Sequence, residues 1–368
     1  MKIGVPREIK RHEYRIGMTP HSVKAYVKGG HHVFVEKGAG IGSGYEDEEY
    51  VAAGAKLVSD KEALFRDSEM IVKVKEPLAE EYPLFHEGQI LFTYLHLAAS
   101  RELALELMKR RVTGVAYETI ELADRSLPCL TPMSEIAGRL SVQEGAKYLE
   151  KEFGGRGILL GGVPGVQRGR VGILGGGVVG TNACKIAVGI GANVTVLDIN
   201  AKRLAYLDDI FGSSITTLYA TEANIELVLR ESDIVIGAVL VAGETAPRLI
   251  TRQHLSIMQH GAVIVDVAID QGGCAETSRP TTHDDPIYIV DNVVHYCVAN
   301  MPGAVARSST IALTSVTLPH GLAIASQGLA AAARANEALR RGVNTIGGSC
   351  THPGVAKSCG LPYTEYRP

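Results

Sequence analysis

No two of the six cysteines, at positions 129, 184, 274, 297, 350 and 359, are spaced as CxxC. That leaves no zinc knuckle and no paired redox centre to argue from. So few cysteines in 368 residues do not make a disulfide framework, and a reducing cytoplasm is the expected setting. The twelve histidines show no HExxH or similar metal-ligand spacing, so no metal is expected. Net charge is only −3, which recommends neither a nucleic-acid nor an anionic-membrane partner. No repeat with a period of 20–50 residues appears. The apolar stretch that opens "MKIGVPREIKRHEYR" is far too short for a signal peptide, and Pro6 interrupts it. Residues 308–333 lack Asp, Glu, Lys and Arg, and that length would span a bilayer. Ser and Thr crowd its first half, however, and Pro319, His320 and Gln327 follow. It reads as two buried helical pieces split near Pro319, not as a membrane span.

What is present is a globular composition, 46% apolar and 21% charged, in a chain long enough for two domains. Short β-rich runs at 2–6, 31–37, 69–75, 89–97 and 114–122 alternate with helical patterns at 19–28, 47–53, 61–66 and 100–111. A long helix is expected over 131–151 and a Gly-rich stretch follows it. A second α/β series then begins. A strand at 170–175, a helix at 177–190 and strands at 193–198, 214–220, 233–240, 262–269 and 287–294 lead to a helical region over 304–333. After a helix ending near Arg341, the tail reads as coil. Strands rich in Val and Ile with little alternation are covered on both faces. The expectation is an α/β protein of two doubly wound parallel-sheet, Rossmann-like domains. The two long helices are natural connectors, so the C-terminal segment returns to pack on the first domain.

"RVGILGGGVVGTNA" (170–183) carries Gly175, Gly177 and Gly180 in GxGxxG spacing. The fingerprint alone is weak, but here it follows an apolar strand, opens a helix, and is followed by a strand ending in Asp198. Gly175 permits a sharp turn. Gly177 lets the backbone approach a pyrophosphate at the helix N-terminus, and Gly180 lets helix and strand pack closely. Asp198 can accept hydrogen bonds from both ribose hydroxyls and would repel a 2′-phosphate, which favours NAD over NADP. Lys202 and Arg203 nearby temper that preference.

Ligands of open α/β sheets bind beyond the carboxyl ends of strands, and three polar residues fall there: Lys75, His96 and Asp270. The run "LFTYLHLAAS" (91–100) sets His96 at the end of a buried strand, where it is either a satisfied core histidine or a proton-transfer group. Lys73 shares a strand face with Lys75, lies deeper and competes with it. Asp266 lies inside its strand and reads as structural. A lysine can hold a carbonyl or carboxylate oxygen, an imidazole can move a proton, and a carboxylate can place water or balance charge. A bidentate grip on a substrate carboxylate calls for an arginine, and "RHEYRIGMTP" (11–20) offers both Arg11 and Arg15.

The segments "MKIGVPREIKRHEYRIGMTP", "MIVKVKEP", "LFTYLHLAA", "LTPMSEIAGRLSVQEGAKYLEK", "GGVPGVQRGRVGILGGGVVGTNACKIAVGIGANVTVLDIN", "IVDVAIDQGGCAETSRPTTHDDP" and "VANMPGAVARSST" together resemble the alanine dehydrogenase and nicotinamide transhydrogenase family over nearly the whole chain. The resemblance implies reversible oxidative deamination of L-alanine by NAD to pyruvate, ammonium and NADH. It implies Arg15 as the carboxylate grip, Lys75 as a substrate contact, His96 as acid/base and Asp270 as the second catalytic residue. On the cofactor side it implies Ser134, the loop Gly175, Gly177, Val178, Val179 and Gly180, then Asp198, Arg203, Val239, Leu240, Asn300 and Met301. Ala220 stands where some relatives carry a serine. The implied plan is a substrate domain from both chain ends (1–128 plus 307–368), a central NAD-binding domain (129–306), and a homohexamer in the cytoplasm. Two rival readings stand beside it: an NAD-binding subunit of a nicotinamide transhydrogenase, and a non-catalytic NAD-sensing module. The intact set of Arg15, Lys75, His96 and Asp270 argues against the second.

Overall fold

A computed structural model describes residues 1–239 and 246–368. In chain order the first elements are β1 (Lys2–Val5), α1 (Pro20–Lys28), β2 (His32–Glu36), α2 (Asp47–Ala52), β3 (Lys56–Val58), α3 (Lys61–Asp67) and β4 (Met70–Val72). Next come β5 (Ile90–Thr93), α4 (Arg101–Lys109), β6 (Thr113–Ala116) and α5 (Thr131–Tyr148). The central run is β7 (Arg170–Leu174), α6 (Val178–Ile190), β8 (Asn193–Asp198), α7 (Ala201–Phe211), β9 (Ile215–Tyr219) and α8 (Glu222–Glu231). It continues with β10 (Ile234–Gly237), β11 (Val263–Asp266), β12 (Ile287–Val290) and β13 (Val293–Tyr296). The chain closes with α9 (Ala306–Gln327), α10 (Leu329–Ala335), α11 (Glu337–Arg341), β14 (Val343–Ile346), β15 (Ser349–Cys350) and α12 (Pro353–Cys359). Helix starts carry local signals. Thr19 caps α1 through the Ser22 N–H with Pro20 in the first turn, and Glu46 and Glu49 form a reciprocal capping box on α2.

The chain divides into two compact units, Met1–Met133 with Gly303–Pro368, and Ser134–Pro302. The discontinuous unit holds an eight-stranded sheet in the order β15-β14-β6-β5-β4-β1-β2-β3. Six strands are parallel, and β14 and β15 extend the β6 edge antiparallel. Its core gathers Leu64, Phe65, Ile71, Leu91, Leu95, Leu103 and Leu107 with Val355 and Cys359 from the far end of the chain. The continuous unit holds seven strands in the order β12-β13-β11-β10-β7-β8-β9, all parallel except β12. With only the parallel strands of each unit counted, both sheets run 3-2-1-4-5-6, the dinucleotide-fold order. In each, the strand order reverses beside the first strand, between β1 and β4 and between β7 and β10.

Several elements differ from the sequence expectation. The tail is not coil: β14, β15 and α12 follow Arg341. Residues 287–294 are not one strand but most of a hairpin, turned by Asp291 and Asn292, both at positive φ (48° and 65°). That two-residue turn has the left-handed geometry that matches strand twist. Pro319 does not split the helix, because α9 runs through it and ends at Gly328, whose φ of 76° and ψ of 153° no helix accepts. A proline inside a helix costs about 3 kcal/mol. Burial of Leu313, Thr317, Gly321, Ile324 and Ala325 along the same helix offsets that cost. Gly321 permits the packing, since a Cβ there would overlap the Tyr26 hydroxyl of α1.

Candidate active site

In the discontinuous unit, Arg15, Lys75 and His96 lie on the loops that leave β1, β4 and β5 at their carboxyl ends, two of them flanking the switch point. Arg15 is buried, at 2% exposure, while Arg11 is exposed. The Nε and Nη2 of Arg15 hold the two Glu13 carboxylate oxygens at 2.7 and 2.5 Å, and Nη1 lies 3.1 Å from the Met133 sulfur. Burial opposes the Arg15 charge, but Glu13 more than offsets it and raises its pKa further. One edge of the guanidinium fork is thus spent on aiming the residue.

Lys75 is largely buried, and its pKa is lowered by that burial and by the Arg15 guanidinium nearby. The strand expected to reach Lys75 stops at Val72, and 73–75 continue as a loop alongside β5. The Lys73 N–H donates to the Phe92 carbonyl at 3.2 Å and the Tyr94 N–H to the Val74 carbonyl at 3.3 Å. Lys73, the competitor, is fully buried and pairs with Glu81 at 2.9 Å and Glu8 at 3.2 Å. Glu8 also accepts the N–H groups of Val74 at 2.6 Å and Lys75 at 3.3 Å. Lys73 therefore serves as the counter-ion of a buried clamp under the Lys75 loop.

His96 is exposed and lies beyond its strand, which ends at Thr93. It is not a core histidine. Its backbone is left-handed, φ 49° and ψ 33°, and it opens a short 3-10 turn over Leu97–Ala99. Its ring stacks on Tyr94 at 5.8 Å between centroids with a 13° interplanar angle. Glu76 pairs with Lys10 and lies in the field of Lys75 and His96. Burial would raise the Glu76 pKa, yet Lys10, Lys75 and His96 together hold it below the ordinary carboxylate range.

In the continuous unit the glycine loop joins β7 to α6. Gly175 has φ 102°, and a Cβ there would sit 2.7 Å from the Ala238 carbonyl oxygen. A Cβ on Gly180 would overlap the Gly175 carbonyl oxygen. Gly177, the N-cap residue of α6, makes no side-chain cap, and a Cβ there would meet no heavy atom within 4 Å. Val178 and Val179 form the first turn beside it, and Val178 is 41% exposed. This cradle, with backbone N–H groups at a helix N-terminus, fits a dinucleotide pyrophosphate. Asp198 ends β8 and is pinned by two backbone donors, Gly176 N–H at 2.7 Å and Asn200 N–H at 2.8 Å. Arg203 is turned onto the loop, where it donates to the Gly176 and Gly177 carbonyls and the Thr181 hydroxyl.

Asp270 does not end a strand. β11 stops at Asp266, and Asp270 is exposed on a 3-10 turn, Val267–Gln271, closed by Gly272 at φ 94°. Asp266 is structural, accepting from the N–H groups of Ala268 and Cys274 at 3.1 and 2.8 Å and from the Ser278 hydroxyl at 2.5 Å. Ser134 lies in α5 and Val239 follows β10 by two residues. Asn300 is left-handed at φ 63°, and Met301 is buried in the 3-10 turn that precedes α9. Leu240 lies outside the described residues. The sequence reading passed over Glu8, Glu13 and Glu118. Only Glu13 left a local trace, an acid two residues before the arginine it orients.

The family model described as "Alanine dehydrogenase/PNT, N-terminal domain" matches residues 4–137, and the corresponding C-terminal model matches 141–353. Among curated relatives, the alanine dehydrogenase of Methanococcus maripaludis is 58% identical over 365 residues, covering 99% of this chain and 98% of the relative. A solved L-alanine dehydrogenase superposes with a TM-score of 0.95 at 54% identity, covering 97% of this chain and 99% of that one. A transhydrogenase from Sinorhizobium meliloti superposes at 0.83 with 24% identity over 96% of this chain and 99% of that one, a likeness of fold alone. Matched by both models along most of its length, the chain belongs to the alanine dehydrogenase/PNT family.

Proposed function

We propose that the protein catalyses the NAD-dependent, reversible oxidative deamination of L-alanine to pyruvate and ammonium. The observation that carries the proposal is the Arg15–Lys75–His96 loop cluster in one unit, in a chain whose other unit holds the glycine cradle and Asp198. The discontinuous unit is the substrate domain in this reading, and the continuous unit binds NAD. The bound nicotinamide supplies the hydride acceptor. Ser134, the Gly175–Gly180 loop, Asp198, Arg203, Val239, Leu240, Asn300 and Met301 are the residues assigned to hold it. The Asp198 carboxylate takes the ribose hydroxyls and disfavours a 2′-phosphate.

Arg15 grips the substrate carboxylate, and Lys75 steadies the same end. A lysine whose charge is already opposed by burial and by Arg15 gains from an incoming carboxylate. Held as the free amine, the substrate loses a hydride from Cα and is left as an iminium. His96 takes a proton from the attacking water and returns it to the amine of the carbinolamine, which leaves as ammonia, and His96 then receives the hydroxyl proton as the pyruvate carbonyl forms. General acid–base work of this kind contributes about 10²–10⁴-fold. Asp270 balances the cationic intermediates and places the water.

The relatives at more than half identity favour this reading over the transhydrogenase one, to which the likeness is in fold. The same reading includes a cytoplasmic homohexamer. All six cysteines are free and buried, and α9, which carries no charged residue after Arg307, leaves Ile311 46% exposed. No helix among the described residues is long and apolar enough to cross a membrane. The test is NADH formation across small L-amino acids, followed by kinetics of His96→Ala and Asp270→Asn. NADH from alanine, and turnover lost in both variants, is the expected result. Near wild-type turnover in both would remove the assigned roles.

A further inference from the structure

We infer that Glu118 is a positioning residue for the reaction, its carboxylate holding the backbone turn on which His96 stands. The inference rests on the proposed function, in which His96 moves the proton.

A non-glycine residue at φ 49° is uncommon and persists only where its surroundings hold it. The His96 turn has no side-chain cap of its own. What holds it comes from the neighbouring strand's exit. Glu118 sits in the 3-10 turn Tyr117–Thr119 that follows β6, and β6 lies beside β5. Its Oε1 accepts the His96 N–H at 2.6 Å, and both carboxylate oxygens accept the Leu95 N–H at 3.2 Å. Charge-assisted bonds of this type are about twice as strong as neutral ones.

The preceding residue strengthens the case. Tyr117 is fully buried, and its hydroxyl donates to the Lys73 carbonyl at 3.1 Å, in the loop that carries Lys75. Its ring packs edge-on against Tyr94 at 5.1 Å, the residue on which the His96 ring stacks. One turn therefore braces the two loops assigned to substrate contact and proton transfer. Glu118 reaches the chemistry through His96, by setting where the imidazole starts.

A displacement of about 1 Å in a catalytic group costs on the order of 10² in rate. Glu118→Ala is therefore expected to lower kcat for alanine oxidation tenfold or more while the KM for alanine stays within about twofold. Glu118→Gln, which still offers one acceptor oxygen, should lose less. The discriminating measurement is the double variant. Glu118→Ala added to His96→Ala should cost nothing further, because the effect runs through His96. A kcat within twofold of wild type in Glu118→Ala overturns the inference. So does a loss carried in KM alone, or a full additional loss in the His96→Ala background. If Glu118→Ala does not fold, Glu118→Leu, which fills the space but offers no acceptor, decides by the same criteria. Wild-type protein is assayed first: failure to form NADH from any small amino acid removes the proposed function itself, and active wild type with an unaffected Glu118 variant removes only this inference.

Discussion

Replacing Lys73 by methionine removes the ammonium from the buried clamp while keeping most of its volume. Lys73 is wholly excluded from solvent, as are nearly all of the Glu8 and Glu81 side chains. The variant would leave two carboxylates in low dielectric, with Lys61, 4.0 Å from Glu81, and the Arg15 guanidinium as nearby cations. Breaking a buried pair in this way costs about 3–5 kcal/mol. For a unit of this size each kcal/mol moves Tm by about 2–4 °C, so the melt should fall by roughly 6–20 °C. The sign of the pH dependence follows from burial. Burial already raises the Glu8 pKa, and losing Lys73 raises it further. The folded variant then holds more protons than the unfolded chain, so its stability rises as pH falls through that folded pKa toward the unfolded value. Melts followed by circular dichroism at pH 8 and pH 5 should show a deficit that shrinks at the lower pH. A deficit under about 1 kcal/mol, or one equal at both pH values, would refute the argument that Lys73 is there to neutralise buried carboxylates.

Three further outcomes are expected. Gly180→Ala places a methyl on the Gly175 carbonyl oxygen and should weaken NADH binding at least tenfold, read by fluorescence titration; unchanged affinity would show that the loop tolerates a side chain. Burial, opposed in part by the Val293 carbonyl, lowers the His295 pKa, so the unfolded chain takes up a proton more readily below about pH 6.5 and stability falls as pH drops through that region. His295→Gln should flatten that slope in thermal melts between pH 7 and pH 5. Gly321→Ala should lower Tm by several degrees, and Tyr26→Phe should restore part of the loss by removing the overlapping hydroxyl. No recovery in the double variant would place the strain elsewhere.

The cofactor cradle was legible because its constraints are written in residue identity: three glycines, a strand before them and an acid after the next strand. The strand-end logic also brought Lys75, His96 and Asp270 forward, yet each lies on a loop or turn past its strand. Apolar continuity past Val72, Thr93 and Asp266 hid where the ladders end. The choice of Arg15 over Arg11 came from resemblance; burial and the Glu13 pairing now distinguish them physically. β14, β15 and α12 were hidden by shortness and glycine content, since their identity depends on pairing with β6, far away in sequence. Asp291–Asn292 was a readable hairpin signal, obscured by the apolar runs on both sides. Glu8 and Glu118 could not be read at all, because each matters through partners tens of residues away or in another loop.

The antiparallel edge formed by β14 carries a consequence for biogenesis. On the ribosome, β6 emerges early and presents an unpaired edge until residues 343–346 follow, after the whole continuous unit has been made. At about 5–20 residues per second that interval is on the order of 10–50 s. Throughout it, Thr113–Ala116 is a hydrogen-bonding template open to other nascent chains. The stretch of synthesis most exposed to misassembly therefore comes before the last few dozen residues, and a truncation before Val343 would make that exposure permanent.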